Sequence, residues 1–217
     1  MNDSGSDACL VSFSGINHPE GDPAIWEEDL IEGHLMARSI IEEHGVPFYF
    51  LGYSLGALLG QYLLFFKQNQ IKFNKQVLLA PATAIGLPRF VKSSISLLND
   101  NLQIRSYTPK GYSIDDWLPA KIYKKMIYWE RSIINAGFAH LNIPTLVIID
   151  PKDELISYPK IRRQIRKYGL SNYQCIVLES SLSGRSTRYH HLIIDGATMG
   201  KKNWTEVASR IAAFFDP

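Results

Sequence analysis

The sequence predicts an α/β fold, in which a mainly parallel β-sheet is flanked by helices in a single domain spanning residues 1–217. Short apolar runs typical of buried strands alternate with longer stretches typical of helices, and this alternation favours a parallel sheet covered on both faces. With 217 residues, of which 46% are hydrophobic, the chain can bury one core. The pattern degrades at about residues 82–140, where we expect a small helical insertion.

Composition and charge exclude several classes of function. The net charge is +2, which favours neither nucleic acid nor a membrane surface as the partner. The start of the chain is polar and acidic, unlike a signal peptide, and the longest apolar stretches are too short to span a bilayer, so we expect a cytoplasmic protein. Cys9 and Cys175 lie in apolar runs, where we expect buried free thiols, and no metal-ligand spacing is present.

The first two predicted elements are a strand and a capped helix. Ala8–Phe13 is an apolar run and should begin the sheet. Asp22 followed by Pro23 is typical of a helix start, since aspartate caps the first turn and proline fits within it. Gly45 and Pro47 should end that helix.

Further elements follow the same alternation. Apolar runs closed by turn residues predict strands at Gln76–Ala80, Thr145–Ile149 and Tyr173–Leu178. Amphipathic spacing predicts helices at about residues 117–134, 157–168 and 203–215. The basic side chains of the helix at 157–168 are expected to form a solvated face.

The stretch from Phe48 to Phe66 organises the chain. An apolar run predicts a buried strand, which passes through Gly52-Tyr53-Ser54-Leu55-Gly56 into an apolar helix without any intervening turn signal. A serine at the apex of such a tight turn stands exposed above the sheet, and both flanking glycines should be needed to leave room for the turn. Ser54 is therefore the candidate nucleophile, and the backbone N–H of Leu55 the candidate oxyanion donor.

A serine nucleophile requires a base, and the base requires an orienting acid. Asp153 follows the carboxyl end of the strand at 145–149, the edge at which parallel sheets carry their active-site loops. His190 and His191 lie in the loop after the last strand. The order of these residues along the chain is Ser, Asp, His. The two major serine protease families have the orders His, Asp, Ser and Asp, His, Ser, whereas one other hydrolase fold has the order found here.

These motifs resemble the α/β-hydrolases, closest to the carboxylesterase and monoacylglycerol-lipase type. Gly52–Gly56 resembles the nucleophile elbow, residues 144–156 resemble the strand and loop that carry the acid, and residues 189–195 resemble the histidine loop. The resemblance implies an α/β-hydrolase-like fold, Asp153 as the acid with Asp150 at the strand end, and His190 as the base. His190 is selected because the family histidine often precedes an aspartate by five residues, here Asp195. His191 is the alternate base.

The resemblance departs from the family at the N-terminus. Residues 15–20 resemble a later loop of the family, and Gly15 lies only 39 positions before Ser54, which leaves room for one helix and the elbow strand. We therefore expect an N-terminally shortened fold. The strand at Ala8–Phe13 should then pair with the elbow strand, so that Gly15 and Ile16 come near Ser54 as substitute oxyanion donors. If it does not, an exposed sheet edge offers a route to self-association.

The resemblance implies a serine hydrolase that cleaves a small or medium apolar acyl ester through an acyl-enzyme, with no cofactor and no metal. A thioesterase or a serine peptidase would use the same groups, and a non-catalytic remnant with an incomplete oxyanion hole is the remaining alternative. The insertion at 82–140 corresponds to the family's cap. Its aromatic residues should either line an acyl pocket or pack in a small core of their own: Trp117, Tyr123, Tyr128 and Trp129.

Overall fold

The structure is a computed structural model, and it describes residues 8–11, 13, 22–106, 112, 116–178 and 188–216. Its main sheet has four parallel strands in the order β1-β2-β5-β6, which are Tyr49–Tyr53, Lys75–Leu79, Thr145–Ile149 and Tyr173–Val177. The register joins Gly52 to Leu78 and Val77 to Leu146. The strand predicted before Ser54 and those predicted at Gln76–Ala80, Thr145–Ile149 and Tyr173–Leu178 are confirmed to within two residues.

Seven α-helices of the described residues flank this sheet: α1 Ile25–His44, α2 Ser54–Phe66, α3 Arg89–Leu97, α4 Ala120–Ala136, α5 Tyr158–Lys167, α6 Gly196–Met199 and α7 Lys201–Phe215. The predicted α/β class, with a parallel sheet between helices, is confirmed. None of the described helices combines the length and the apolar content needed to cross a membrane.

The core lies around β5 and α2. All five residues of β5 are buried, and so are residues 57–64 of α2, which occupy two successive helical turns without an exposed position. A helix that is apolar on every side must be covered on every side. This burial explains why α2 shows no amphipathic pattern in the sequence, and it places Ser54 at the N-terminus of the most enclosed helix.

Helix α1 ends at its predicted signal, Gly45, but begins at Ile25, three residues after the predicted cap Asp22. Asp22 Oδ1 accepts the N–H of Ala24 at 2.9 Å, and Gly45 ends the helix in a left-handed conformation (φ 63°) that glycine adopts without strain. The buried face consists of Trp26, Leu30 and His34.

The N-terminal segment does not form the predicted first strand in its described residues. Ala8–Val11 and Phe13 have no strand conformation, and β1 pairs with β2. Phe13 stacks on Trp26 at 5.6 Å between ring centroids, and Val11 packs against Gly33, so these two side chains cover α1 instead. The prediction of a first strand is wrong for these residues. Gly15 and Ile16 lie outside the described residues, and self-association through the edge of β1 stays a prediction.

The two cysteines differ from the prediction as well. Cys9 and Cys175 are both exposed free thiols. Cys175 lies on β6, a terminal strand of the four-stranded sheet that is covered less completely than its neighbours. Cys9 belongs to the N-terminal segment, which packs through Val11 and Phe13 rather than inside a sheet.

Among the described residues of 82–140, where the sequence predicts an insertion, are a short 3-10 helix at Ala82–Ala84, α3, an antiparallel pair β3–β4 (Gln103–Arg105 and Trp117–Pro119) and α4. The predicted second helix begins later than expected, because Trp117 lies on β4. Trp129 of α4 is fully buried and contacts Tyr62 of α2 and Trp26 of α1, with ring centroids 5.9 and 6.5 Å apart. Trp129 thus belongs to the main core, rather than to a separate small core or a pocket lining.

Candidate active site

The turn between β1 and α2 is a strained elbow. Ser54 has φ 48°, a left-handed conformation that costs a residue with a side chain about 1–3 kcal/mol. A Cβ on Gly52 would lie 2.7 Å from Ala57 Cα, so the turn requires glycine there. A Cβ on Gly56 would meet no described atom within 4 Å, so the steric need predicted for the second glycine is wrong with respect to the described residues.

The carboxylate of Asp153 is fixed by its own loop after β5. Its Oδ1 accepts the backbone N–H groups of Leu155 and Ile156, both at 2.8 Å. These two bonds leave Oδ2 to face His191 Nδ1 at 2.9 Å, and the side chain is almost fully buried. A buried carboxylate held in this way keeps one orientation toward its histidine partner.

His191 joins the acid to the serine. Its Nε2 lies 2.9 Å from Ser54 Oγ while its Nδ1 faces Asp153. Because an ionised carboxylate can only accept, the proton of the neutral ring belongs on Nδ1, which leaves the Nε2 lone pair for the serine hydroxyl. The preference for His190 over His191 as the base is corrected by this geometry. Ser54, Asp153 and the alternate His191 are brought together.

His190 has a different partner. Its Nδ1 lies 2.7 Å from Oδ2 of Asp150, whose side chain is completely buried at the end of β5. The two adjacent rings thus face different aspartates of the same loop, and it is the His191 ring that lies 2.9 Å from Ser54 Oγ. The five-residue spacing to Asp195 misleads because Asp195 caps α6, where its Oδ1 accepts the N–H of Thr198 at 2.7 Å.

Two further residues hold the histidine segment, and the sequence did not single them out. The carboxylate of Glu154 accepts the backbone N–H groups of His190 at 2.9 Å and of His191 at 3.0 Å. The hydroxyl of Tyr53 donates to the backbone carbonyl of His191 at 3.2 Å. Burial, followed by the negative charges of Asp153 and Glu154, raises the pKa of the Tyr53 phenol, so this hydroxyl keeps its proton. The side chain immediately before a candidate nucleophile was the available signal for Tyr53.

The first turn of α2 carries the candidate oxyanion donor. The N–H of Leu55 follows Ser54 directly and has no acceptor within the helix, since the first N–H groups of a helix lack an intrahelical partner. The proposed second donors, Gly15 and Ile16, are not among the described residues. In the part of the chain that the structure describes, no group of three or more histidine, cysteine, aspartate or glutamate residues could hold a metal ion.

No family model and no curated protein matches the sequence. The fold, however, is shared with solved structures. A soluble variant of monoglyceride lipase from Saccharomyces cerevisiae, in complex with a substrate analog, superposes with a TM-score of 0.70 at 11% identity, over 90% of this chain and 70% of that one. Monoacylglycerol lipase of Paleococcus ferrophilus superposes with a TM-score of 0.60 at 14% identity, over 87% and 76%.

A third solved structure extends the same likeness. Alpha/beta hydrolase domain-containing protein 10 from mouse superposes with a TM-score of 0.59 at 16% identity, over 94% of this chain and 76% of that one. At such identities the likeness shows the fold and leaves the chemistry to be argued from the residues.

Proposed function

We propose that this chain, which has the α/β-hydrolase fold, is a serine hydrolase that cleaves a small or medium apolar acyl ester. The observation that carries the proposal is the continuous chain of hydrogen-bonding atoms from Asp153 Oδ2 through both ring nitrogens of His191 to Ser54 Oγ, with 2.9 Å at each step. These distances lie within hydrogen-bond reach for a base and a nucleophile.

The chemistry follows from the proton positions. Ser54 Oγ attacks the acyl carbon while His191 Nε2 takes the hydroxyl proton, and the carbonyl electron pair moves onto the oxygen. When the tetrahedral intermediate collapses, the ester bond breaks and His191 returns the proton to the leaving alkoxide. Water then repeats the sequence on the acyl-enzyme, releasing the acid and free Ser54. Asp153 stabilises the imidazolium formed in both halves.

The oxyanion has fewer assigned hydrogen-bond donors than the mechanism requires. Leu55 supplies one N–H, and Gly15 or Ile16 is proposed to supply the other. Losing one such donor costs about 3–4 kcal/mol in the transition state. A serine that reacts with probes but turns over esters slowly would point to this deficit, and a non-catalytic relative of the family is the limiting case.

The ester class is proposed on two grounds. The structural neighbours named above include two glyceride lipases. Several apolar side chains of the predicted insertion are exposed, which suits an apolar acyl chain: Leu87, Phe90, Leu97 and Leu102. A thioesterase or a peptidase would use the same three residues, so a panel of chromogenic esters, thioesters and anilides of graded acyl length separates the classes.

Labelling by a fluorophosphonate probe tests the nucleophile. The wild type should be labelled, while Ser54→Ala should lose labelling and esterase activity with an unchanged circular dichroism spectrum. In Asp153→Asn the amide donates toward Nδ1, which forces the proton onto Nε2 and should lower kcat by about 10³–10⁴-fold. Labelling of Ser54→Ala at the wild-type rate would refute the assignment, and an unreactive wild type would favour the non-catalytic alternative.

A further inference from the structure

The loop that carries the acid holds the histidine segment at more points than a triad requires. Besides the bond from Asp153 to the His191 ring, Asp150 Oδ2 faces His190 Nδ1 at 2.7 Å, and the Glu154 carboxylate accepts both backbone N–H groups of the histidine pair. Three carboxylates of one five-residue loop thus bind two consecutive histidines.

The burial of Asp150 makes this arrangement costly for the fold. Its side chain has no exposed surface, and removing a carboxylate from water costs several kcal/mol unless donors compensate. One oxygen accepts the N–H of Lys152 at 2.9 Å and the other faces His190. Because the carboxylate accepts, His190 donates through Nδ1 in either protonation state. His190 is therefore held as a donor, in a position that Ser54 does not use.

The backbone contacts of the histidine segment, together with the bond from His190 to Asp150, restrict the orientation of the His191 ring. Glu154 fixes the N–H of His191, Tyr53 fixes its carbonyl, and the bond from His190 to Asp150 fixes the preceding side chain. With the peptide units on both sides held, the direction of the His191 side chain is set before any substrate binds. An imidazole positioned in this way needs no reorganisation at the moment of proton transfer.

We propose that Asp150, Glu154 and His190 form a histidine clasp, a set of positioning residues that fixes the imidazole of His191 between Asp153 and Ser54. The inference rests on the proposed function for its kinetic consequences, but not for its structural ones. Loss of the clasp should leave substrate binding intact and slow the transfer of the Ser54 proton.

Two substitutions of His190 separate positioning from simple bulk. In His190→Asn the amide nitrogen lies near the place of Nδ1 and can still donate to Asp150, whereas His190→Leu has no donor. A misplacement of about 1 Å costs about 100-fold in rate, so His190→Leu should lower the acylation rate, measured as the burst with a chromogenic ester, about 10- to 100-fold at nearly constant KM. His190→Asn should stay within about threefold of wild type on the same argument.

Glu154→Ala gives a second, independent variant at an exposed residue, and Lys152→Ala in the same loop is its matched control. Glu154→Ala should lower the acylation rate about tenfold, and Lys152→Ala should not change it. Equal rates for His190→Leu and His190→Asn, or an unchanged Glu154→Ala, would overturn the clasp. If His190→Leu fails to fold, the comparison of Glu154→Ala with Lys152→Ala decides alone.

A readout that does not depend on turnover distinguishes this proposal from the proposed function. Nitrogen-15 spectra of the imidazoles should show His191 as a single Nδ1–H tautomer in the wild type and as a mixture in Glu154→Ala and His190→Leu. If the wild type neither reacts with the fluorophosphonate probe nor cleaves esters, the proposed function fails, and the tautomer populations still test the clasp. Unchanged populations in both variants would refute it.

Discussion

At the scale of single residues, the candidate site concentrates features that do not stabilise the fold. Ser54 has a left-handed backbone, Asp150 and Asp153 are buried carboxylates, and Glu154 accepts N–H groups from a distant loop. The strained backbone and the two buried carboxylates are each unfavourable alone and are compensated by their partners in the site. Backbone strain and buried charge that are concentrated in this way are typical of functional sites.

One buried residue outside the site gives a pH prediction. His34 packs between Phe48 and Phe73, and its Nε2 accepts the N–H of Lys72 at 3.4 Å. Burial first, and then the positive charge of Arg38, lower its pKa from 6.5 to about 4. As pH falls from 6.5 to 4, His34 binds a proton in the unfolded chain but stays neutral in the folded chain. The free energy of unfolding should therefore fall, by up to about 3 kcal/mol.

His34→Phe tests this window because it removes the titration and keeps an aromatic ring between the two phenylalanines. Urea unfolding at pH 7 and pH 4.5 should show a smaller pH-dependent loss of stability in the variant than in the wild type. The unpaired N–H of Lys72 lowers the stability of the variant equally at both pH values. Parallel pH dependences of the two proteins would contradict the lowered pKa.

The candidate nucleophile and acid could be predicted from the sequence, while the position of the base depends on the fold. Ser54 and Asp153 are marked by local patterns, a glycine-flanked turn and a strand end. Nothing local distinguishes His190 from His191, because the choice depends on which of two adjacent side chains faces β1. Asp195, the residue that suggested His190, caps α6.

At the scale of elements, the elbow depends on one close approach between β1 and α2. A Cβ on Gly52 would overlap Ala57 Cα at 2.7 Å, and backbone cannot yield as a flexible side chain does. Overpacking typically costs about 1–3 kcal/mol, so Gly52→Ala should lower stability by about that amount. It should also slow probe labelling, since Ser54 moves with the turn.

Gly56→Ala is the matched control within the same motif. No described atom lies within 4 Å of the added Cβ, and alanine favours a helix over glycine by about 1 kcal/mol. Thermal unfolding should show this variant at least as stable as the wild type, with labelling retained. Equal destabilisation by both substitutions would restore the steric requirement that the motif suggested for the second glycine.

Which elements could be predicted follows from where their apolar residues go. The bounds of β5 could be predicted because all five of its residues are buried, and a strand buried on both faces has a continuous run of apolar and β-branched residues. The segment at 8–13 is equally apolar, but Val11 and Phe13 pack on α1, and periodicity cannot tell a strand from an extended cover. The pair β3–β4 escaped prediction because strands of three residues leave almost no pattern.

At the scale of the whole molecule, the described residues of the predicted insertion at 82–140 pack into the main core. Lys92 of α3 and Glu130 of α4 form a buried ion pair, and Glu130 also accepts the N–H of Ile85 at 2.9 Å. Trp129 contacts α1 and α2 together. These contacts join residues far apart in sequence. Local sequence patterns could therefore predict the position of α4, but not the elements against which it packs.

Because Trp129 joins α4 to α1 and α2, we expect the molecule to unfold as one unit. The side chain is fully buried, and its Nε1 donates to Glu27 Oε1 at 2.9 Å, so α4 is tied to both α1 and α2. Truncating a buried tryptophan to alanine costs about 3–5 kcal/mol, and Trp129→Ala should lose that much in a single urea transition followed by circular dichroism.

Trp117→Ala is the matched control, because this tryptophan of the same insertion is 52% exposed and a surface substitution changes stability by about 0.5 kcal/mol. If the insertion were instead an independent unit, Trp129→Ala would separate the unfolding into two transitions and leave the later one at the wild-type midpoint. A single shifted transition requires that the layer formed by α1, α2 and α4 unfolds together with the sheet that carries Ser54, Asp153 and His191.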